Sequence, residues 1–200
     1  MSQKLLHLVV FGKQGAGKGT QAKALSRHYG LVYLGLGELF RELAEENTPI
    51  AQRVKRTIDA GHLIPDPITN QLVAQKLGNI PPSEGFVLDG YPRNVLQAQA
   101  LHRTLHGLNR LVPKPAFLNL EIDQEELLGR LAKRRQTEQR VDDSDAGIAK
   151  RLEIYHNETH PVLESVAEWA EVFGIDGNRT VAEVTAAIHA ALDKADTSDG

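Results

Sequence analysis

Residues 12–20 read Gly12, Lys13, Gln14, Gly15, Ala16, Gly17, Lys18, Gly19 and Thr20. They follow the apolar run Leu5, Leu6, Leu8, Val9, Val10, Phe11 and precede a helical pattern over 20–29. A strand, a glycine loop and a helix in that order make a phosphate cradle. The glycines let successive backbone N–H groups turn toward one anion, and the helix N-terminus adds positive potential. Lys18 can reach the β- and γ-phosphates of a nucleoside triphosphate, and the Thr20 hydroxyl can face phosphate or Mg²⁺. The usual pattern sets Ser or Thr directly after the lysine, whereas here Gly19 intervenes. A plain glycine-rich turn with a surface lysine is the bland alternative. Three glycines and a lysine at this spacing, between strand and helix, favour the phosphate site.

A second set lies at Asp89, Gly90, Tyr91, Pro92 and Arg93, directly after the apolar Phe86, Val87 and Leu88. An acid at a strand end beside a phosphate loop suits a position near Mg²⁺, held through water. Arg93 adds a planar cationic fork for a phosphate. Without the glycine loop, Asp89 would read as an ordinary turn or capping residue.

Composition narrows the classes. Two hundred residues with 41% hydrophobic and 24% charged describe a globular chain long enough for a substantial core. A formal net charge of −3 gives no basic field, so nucleic acid is not expected as a partner. There is no cysteine, which removes disulfides and thiolate metal sites and fits a cytoplasmic location. No apolar run reaches membrane-spanning length, and no signal peptide is read at the start.

The elements that must position these residues alternate. Strands are expected at 31–34, 85–89, 116–122 and 172–175 besides the first, with helices between them. Thr48 with Pro49, and Asp66 with Pro67, read as helix starts. Asp123 with Glu126, and Thr180 with Glu183, read as capping boxes. Pro161 is expected to kink or split the helical stretch over 148–170. His102 and His106, four apart, read as an exposed helix face, and Trp169 as packing. Alternating strands and helices argue for an α/β fold with a parallel sheet wrapped on both faces, whose ligands sit beyond the carboxyl ends of the strands. Gly12, Asp89 and Asp176 all fall at such ends.

With these residues in view the chain resembles the adenylate kinases of the nucleoside monophosphate kinase family. The resemblance runs over residues 8–191 and rests on residues 15–21, 61–66, 85–93 and 140–143. It implies a P-loop five-stranded parallel core over 1–34, 65–132 and 144–193, a small helical lobe over 35–64 on the monophosphate, a short lid over 133–143, and a tail over 194–200. On the ATP side it implies binding by Gly15, Ala16, Gly17, Lys18, Gly19, Thr20, Arg130, Arg134, Gly177 and Arg179. On the AMP side it implies Leu36, Arg41, His62, Leu63, Ile64, Gly90, Tyr91, Pro92, Arg93, Gln97, Arg140 and Arg151. Lys18, Arg93, Arg134, Arg140 and Arg151 would act on the transferring phosphoryl, and Asp89 (through water) and Thr20 would serve Mg²⁺. Gln97 would pair with the adenine edge, since an amide donates and accepts at once.

The same resemblance implies Mg²⁺ with ATP as cofactor, no structural zinc, and a monomer acting on ATP, AMP and ADP. Taken singly, Arg130 and Arg134, four apart on one helix face, read as solvated charges. Phosphoryl transfer between two anions, however, needs several converging cations. Asp142 and Asp143 either orient lid arginines or serve a turn.

Three departures from the family pattern stand out. Gln14 replaces a proline, residues 35–38 replace Ser-Thr-Gly-Asp, and the lid tip carries Arg135, Gln136, Glu138 and Gln139. Leu36 therefore offers no hydroxyl to the acceptor nucleoside, which keeps open a kinase of CMP, UMP or dAMP; Gln97 opposes that reading. A non-transferring ATP-binding protein on the same fold is the alternative from another class, and the arginines beyond the glycine loop argue against it. No Asn-Lys-x-Asp segment for guanine is present.

Overall fold

The computed structural model describes residues 5–59, 64–138 and 145–198. Five strands, β1 (His7–Gly12), β2 (Val32–Gly35), β3 (Phe86–Asp89), β4 (Ala116–Glu121) and β5 (Glu171–Asp176), form one sheet in the order β2-β3-β1-β4-β5. Every pairing is parallel. Consecutive strands therefore cross over through helices: α1 (Lys18–Tyr29), α2 (Leu36–Glu45), α3 (Pro49–Asp59), α4 (Asp66–Gly78), α5 (Val95–Gly107), α6 (Gln124–Glu138), α7 (Asp145–Ile154), α8 (Val162–Val166) and, after the last strand, α9 (Val181–Ser198).

Both sheet faces are covered, so the central strands β1, β3 and β4 are buried along nearly their whole length rather than alternating. Leu8 and Val10 of β1, with Leu118 and Leu120 of β4, meet Ala22 and Leu25 of α1, Leu127 of α6 and Ile188 of α9. Val9 and Phe11, with Phe86, Leu88 and Phe117, meet Leu77 of α4, Leu101 of α5 and Val166 of α8 on the other face. Each such side chain contributes about 1.5–3 kcal/mol on burial. Together they hold the carboxyl ends of β1 and β3 side by side, where the chemistry must sit.

The helix ends follow their sequence signals unevenly. Ala51 N–H donates to Thr48 Oγ1 (3.1 Å), as the Thr48–Pro49 start requires. Thr180 and Glu183 form their reciprocal box: Thr180 N–H donates to Glu183 Oε2 (3.0 Å) and Glu183 N–H to Thr180 Oγ1 (3.4 Å). The box expected from Asp123 and Glu126 is replaced. Asp123 N–H donates to Asn178 Oδ1 (2.9 Å), while Glu126 takes Arg130 Nε (2.7 Å) one turn along α6. Asp66 is not a cap either: Pro65 precedes α4 and Asp66 is its first residue, leaving the carboxylate for partners on α5.

Pro161 does split its helix. Its missing N–H cannot continue the ladder, and the chain passes through a π turn over Tyr155–Thr159, with His160 N–H on Tyr155 O (2.8 Å), before α8 begins. His102 is half-buried and stacks on Trp169 (centroids 4.9 Å apart), so that face of α5 is less open than the spacing alone implies.

His7, in the first strand, is 1% exposed and stacked on Phe86. Burial, aided by the Arg110 charge, lowers its pKa from 6.5 to about 4, with only a weak opposing contribution from the Leu6 backbone. The folded imidazole therefore stays neutral where the unfolded one takes a proton. Stability from this residue is complete above pH 6.5 and is lost as pH falls toward 4, by roughly 3 kcal/mol. Urea unfolding at pH 7 and pH 4 should show that His7→Phe loses less stability across the interval than the unaltered chain. Equal losses would contradict the assignment.

Candidate active site

The glycine loop joins β1 to α1. Gly15 and Gly17 have φ of +89° and +91°, a region closed to most side chains, so N–H groups can face inward. Gly17 caps α1 without any side-chain hydrogen bond, leaving the first-turn N–H groups for an anion. Lys18 Nζ donates to Lys13 O (2.8 Å) across the loop. An ammonium has three donors, so this contact is compatible with a phosphate as well.

Asp89 arrives from the neighbouring strand, its Cα paired with Val10 of β1 on one side and Gly35 of β2 on the other. A Cβ at Gly19 would stand 3.1 Å from Asp89 Oδ2. Here is a reason for glycine where the usual pattern has Ser or Thr: the carboxylate lies over that position. Burial raises the Asp89 pKa, and the Lys18 and Arg93 charges pull it back. A half-buried carboxylate with a hydroxyl residue, Thr20, in the same cleft wall offers hard oxygen donors. Among the described residues no group of three His, Cys, Asp or Glu could hold a metal ion by itself. One carboxylate with few protein ligands fits Mg²⁺, which keeps waters and shares substrate phosphates.

A cleft of ≈ 980 Å³ opens at these strand ends. On the triphosphate side its wall includes residues 14–20, Arg130 and Arg179. Arg130 Nη2 reaches Arg179 O (3.3 Å), and the Arg179 side chain is held by Asp176 Oδ2 (2.8 Å). Gly177 stands behind the wall rather than in it: its N–H bonds Glu121 O (2.6 Å), and a Cβ there would approach that same carbonyl within 2.8 Å. On the other side the wall includes Leu36, Arg41, Ile64, Gly90, Tyr91, Pro92, Arg93 and Gln97. Arg93 Nε donates to Gly90 O (2.9 Å), and Thr159 Oγ1 donates to Arg93 O (2.7 Å), which ties this arginine to the π turn. His62, Leu63 and Arg140 lie outside the described residues, as do the side chains of Arg134 and Arg151.

The cleft also includes residues that sequence reasoning passed over: Lys23, Tyr33, Glu38, Lys133, Tyr155 and Thr159. Tyr33 explains the departure at residue 35. Tyr33 and Gly35 share one face of β2, and a Cβ at Gly35 would collide with the Tyr33 hydroxyl. The phenol fills the space a serine would take, and its pKa is raised by burial first and by the Asp89 charge second. Gly35→Ser is therefore expected to destabilise by about 1–3 kcal/mol through overpacking. In the double variant with Tyr33→Ala the two losses should be less than additive. Urea unfolding of the four proteins checks this, and strictly additive losses would refute the steric link.

A parallel sheet with a glycine phosphate loop after its first strand, an acid ending the neighbouring strand and arginines across a shared cleft defines a nucleotide-dependent phosphotransferase. The adenylate kinase family profile matches residues 10–171. The adenylate kinase of Mycobacterium ulcerans is 41% identical over 189 residues, covering 94% of this chain and 100% of the relative. That of Nocardioides sp. strain JS614 is 38% identical over 188 residues (94% and 97%), and that of Cyanothece sp. strain PCC 7425 is 37% identical over 190 (95% and 96%). The chain belongs to the adenylate kinase family, and is thus a phosphotransferase of the nucleoside monophosphate kinase type.

Proposed function

We propose that this chain transfers the γ-phosphoryl of Mg·ATP reversibly to AMP, giving two ADP. The observation that supports this reading is that one cleft is lined by two separate sets of groups suited to binding an anion. The glycine loop with Lys18 stands on one side of Asp89; Arg41 and Arg93, leading on to Gln97, stand on the other. A protein that only sensed or hydrolysed ATP would need the first set alone.

In this reading an oxygen of the acceptor phosphate forms the new bond to the γ-phosphorus while the bond to the β–γ bridging oxygen breaks. The acceptor is already anionic, so no general base is required. Lys18 neutralises charge on the donor phosphates, Arg93 and Arg41 hold the acceptor phosphate in line, and Arg134, Arg140 and Arg151 supply further positive charge to the equatorial oxygens. Asp89, through water, and Thr20 would hold the Mg²⁺ that travels with ATP and offsets charge between its phosphates. His62, Leu63 and Ile64 would line the AMP pocket mainly through backbone; the backbone of Asn178 and Arg179 would meet the ATP base, with Gly177 setting the close turn behind them. The lobe over 35–64 and the lid over 133–143 would close over both nucleotides and keep water from the γ-phosphoryl. The chain would act as a monomer in the cytoplasm, with no nucleic acid or membrane partner; among the described residues no helix is long and apolar enough to cross a membrane.

Diphosphate formation from Mg·ATP with AMP, CMP, UMP, GMP and dAMP in parallel, beside a control lacking acceptor, tests this directly. Strong preference for AMP is expected. Preference for CMP, UMP or dAMP would move the acceptor, and turnover without any acceptor would refute transfer.

A further inference from the structure

Gln97 is 3% exposed, and its backbone and side chain are both held. Its N–H donates to Asn94 Oδ1 (2.8 Å), and its carbonyl accepts from the Tyr91 hydroxyl (3.0 Å). Its side-chain Nε2 donates to Asp66 Oδ1 (2.7 Å), and its Oε1 accepts from Arg93 N–H (2.8 Å). A carboxylate only accepts and a backbone N–H only donates, so these two partners leave the amide one orientation. Turning it over would set oxygen against carboxylate and N–H against N–H. Asp66 is itself steadied by Asn94 Nδ2, at 3.0 Å from Oδ2 and 3.3 Å from Oδ1. Its place in the first turn of α4 suits its charge.

The locked amide keeps one N–H and one oxygen lone pair for a ligand in the cleft. Adenine offers an acceptor at N1 and a donor at N6, which match that pair. A 6-oxopurine in the same pose offers a donor at N1 and an acceptor at O6, which would match only the reversed amide. We infer that Asp66 is a specificity-determining positioning residue: by fixing the Gln97 amide it makes the acceptor pocket reject 6-oxopurine monophosphates in favour of AMP. The inference rests on the reading of Gln97 as the residue that meets adenine.

Three proteins separate the possibilities: the unaltered chain, Asp66→Asn and Gln97→Ala, each assayed with AMP and with IMP as acceptor and Mg·ATP as donor. The unaltered chain should favour AMP over IMP in kcat/KM by about 100-fold or more, since a mismatched buried polar pair is a strong discriminator. In Asp66→Asn the new amide can present either oxygen or nitrogen to Gln97, so of the two contacts that fix the orientation only the Arg93 N–H still opposes the reversed amide. The AMP to IMP ratio should then narrow by roughly 10-fold, through the acceptor KM rather than kcat, with the KM for ATP unmoved. Gln97→Ala should raise the AMP KM by about 10-fold on the same grounds.

If Gln97→Ala raises the AMP KM and Asp66→Asn keeps the original ratio, the role of Asp66 is overturned while the adenine reading stands. An unchanged AMP KM in Gln97→Ala overturns both. The unaltered chain needs no folding control, and a ratio near one for it would overturn the inference by itself.

Discussion

Replacing Lys18 by alanine is expected to lower kcat about 10³-fold while leaving the fold intact. Its ammonium is the cation set in the loop that cradles the donor phosphates, and it lies against Asp89 closely enough to oppose the rise in that carboxylate's pKa. Phosphoryl transfer offers a protein little covalent chemistry to perform. The rate comes from charges held where negative charge shifts, and removing one such group typically costs two to three orders of magnitude or more. The fold should survive, because Lys18 Nζ donates to Lys13 O, within the same loop and not in a core element. Steady-state kinetics with a thermal unfolding midpoint decide it. A midpoint near that of the unaltered chain with a large loss of kcat supports the role; a loss of kcat under about 10-fold would refute it.

The largest loss of stability is expected at a residue remote from the donor phosphates. Arg110 is 4% exposed and donates to three backbone carbonyls: Glu84 (2.8 Å), Ile80 (2.7 Å) and Pro81 (2.8 Å). These carbonyls lie in the connection that leads into β3. One guanidinium therefore satisfies the turn that feeds the strand ending at Asp89. Arg110→Ala would leave three acceptors without it, at about 1–3 kcal/mol for each buried group left unpaired. Allowing for water entering the space, a loss of about 3–5 kcal/mol is expected, and a fall in Tm of roughly 10 °C. Calorimetry checks this. A change under about 1 kcal/mol would mean that the turn does not depend on Arg110.

The parts of the fold carried by local signals were legible in the sequence. The glycine loop, the apolar strand runs, the Thr48 and Thr180 helix starts and the break at Pro161 each depend on neighbours within a few residues. The family reading rested on motifs of that kind, and the family match bears it out. What escaped depends on partners far along the chain. Asp123 lost its capping box because Asn178, remote in sequence, supplies the acceptor its N–H needs. Asp66 looked like a cap until α5 brought Asn94 and Gln97 beside it. Arg110 carries no local signal, since no nearby pattern announces three carbonyls converging on it. Tyr33 was within reach: it alternates with Gly35 on one strand face, which pairs an oversized side chain with a missing one. Arg140, His62 and Leu63, also named from the sequence, lie outside the described residues.

The measurement that tests the central claim most directly follows the label from [γ-³²P]ATP in the presence of Mg²⁺ and AMP. Transfer to the acceptor sends the label into the β-phosphate of newly formed ADP and leaves inorganic phosphate at the level of the enzyme-free control. Label released mainly as inorganic phosphate, with AMP unchanged, would contradict a kinase that joins two nucleotides in one cleft.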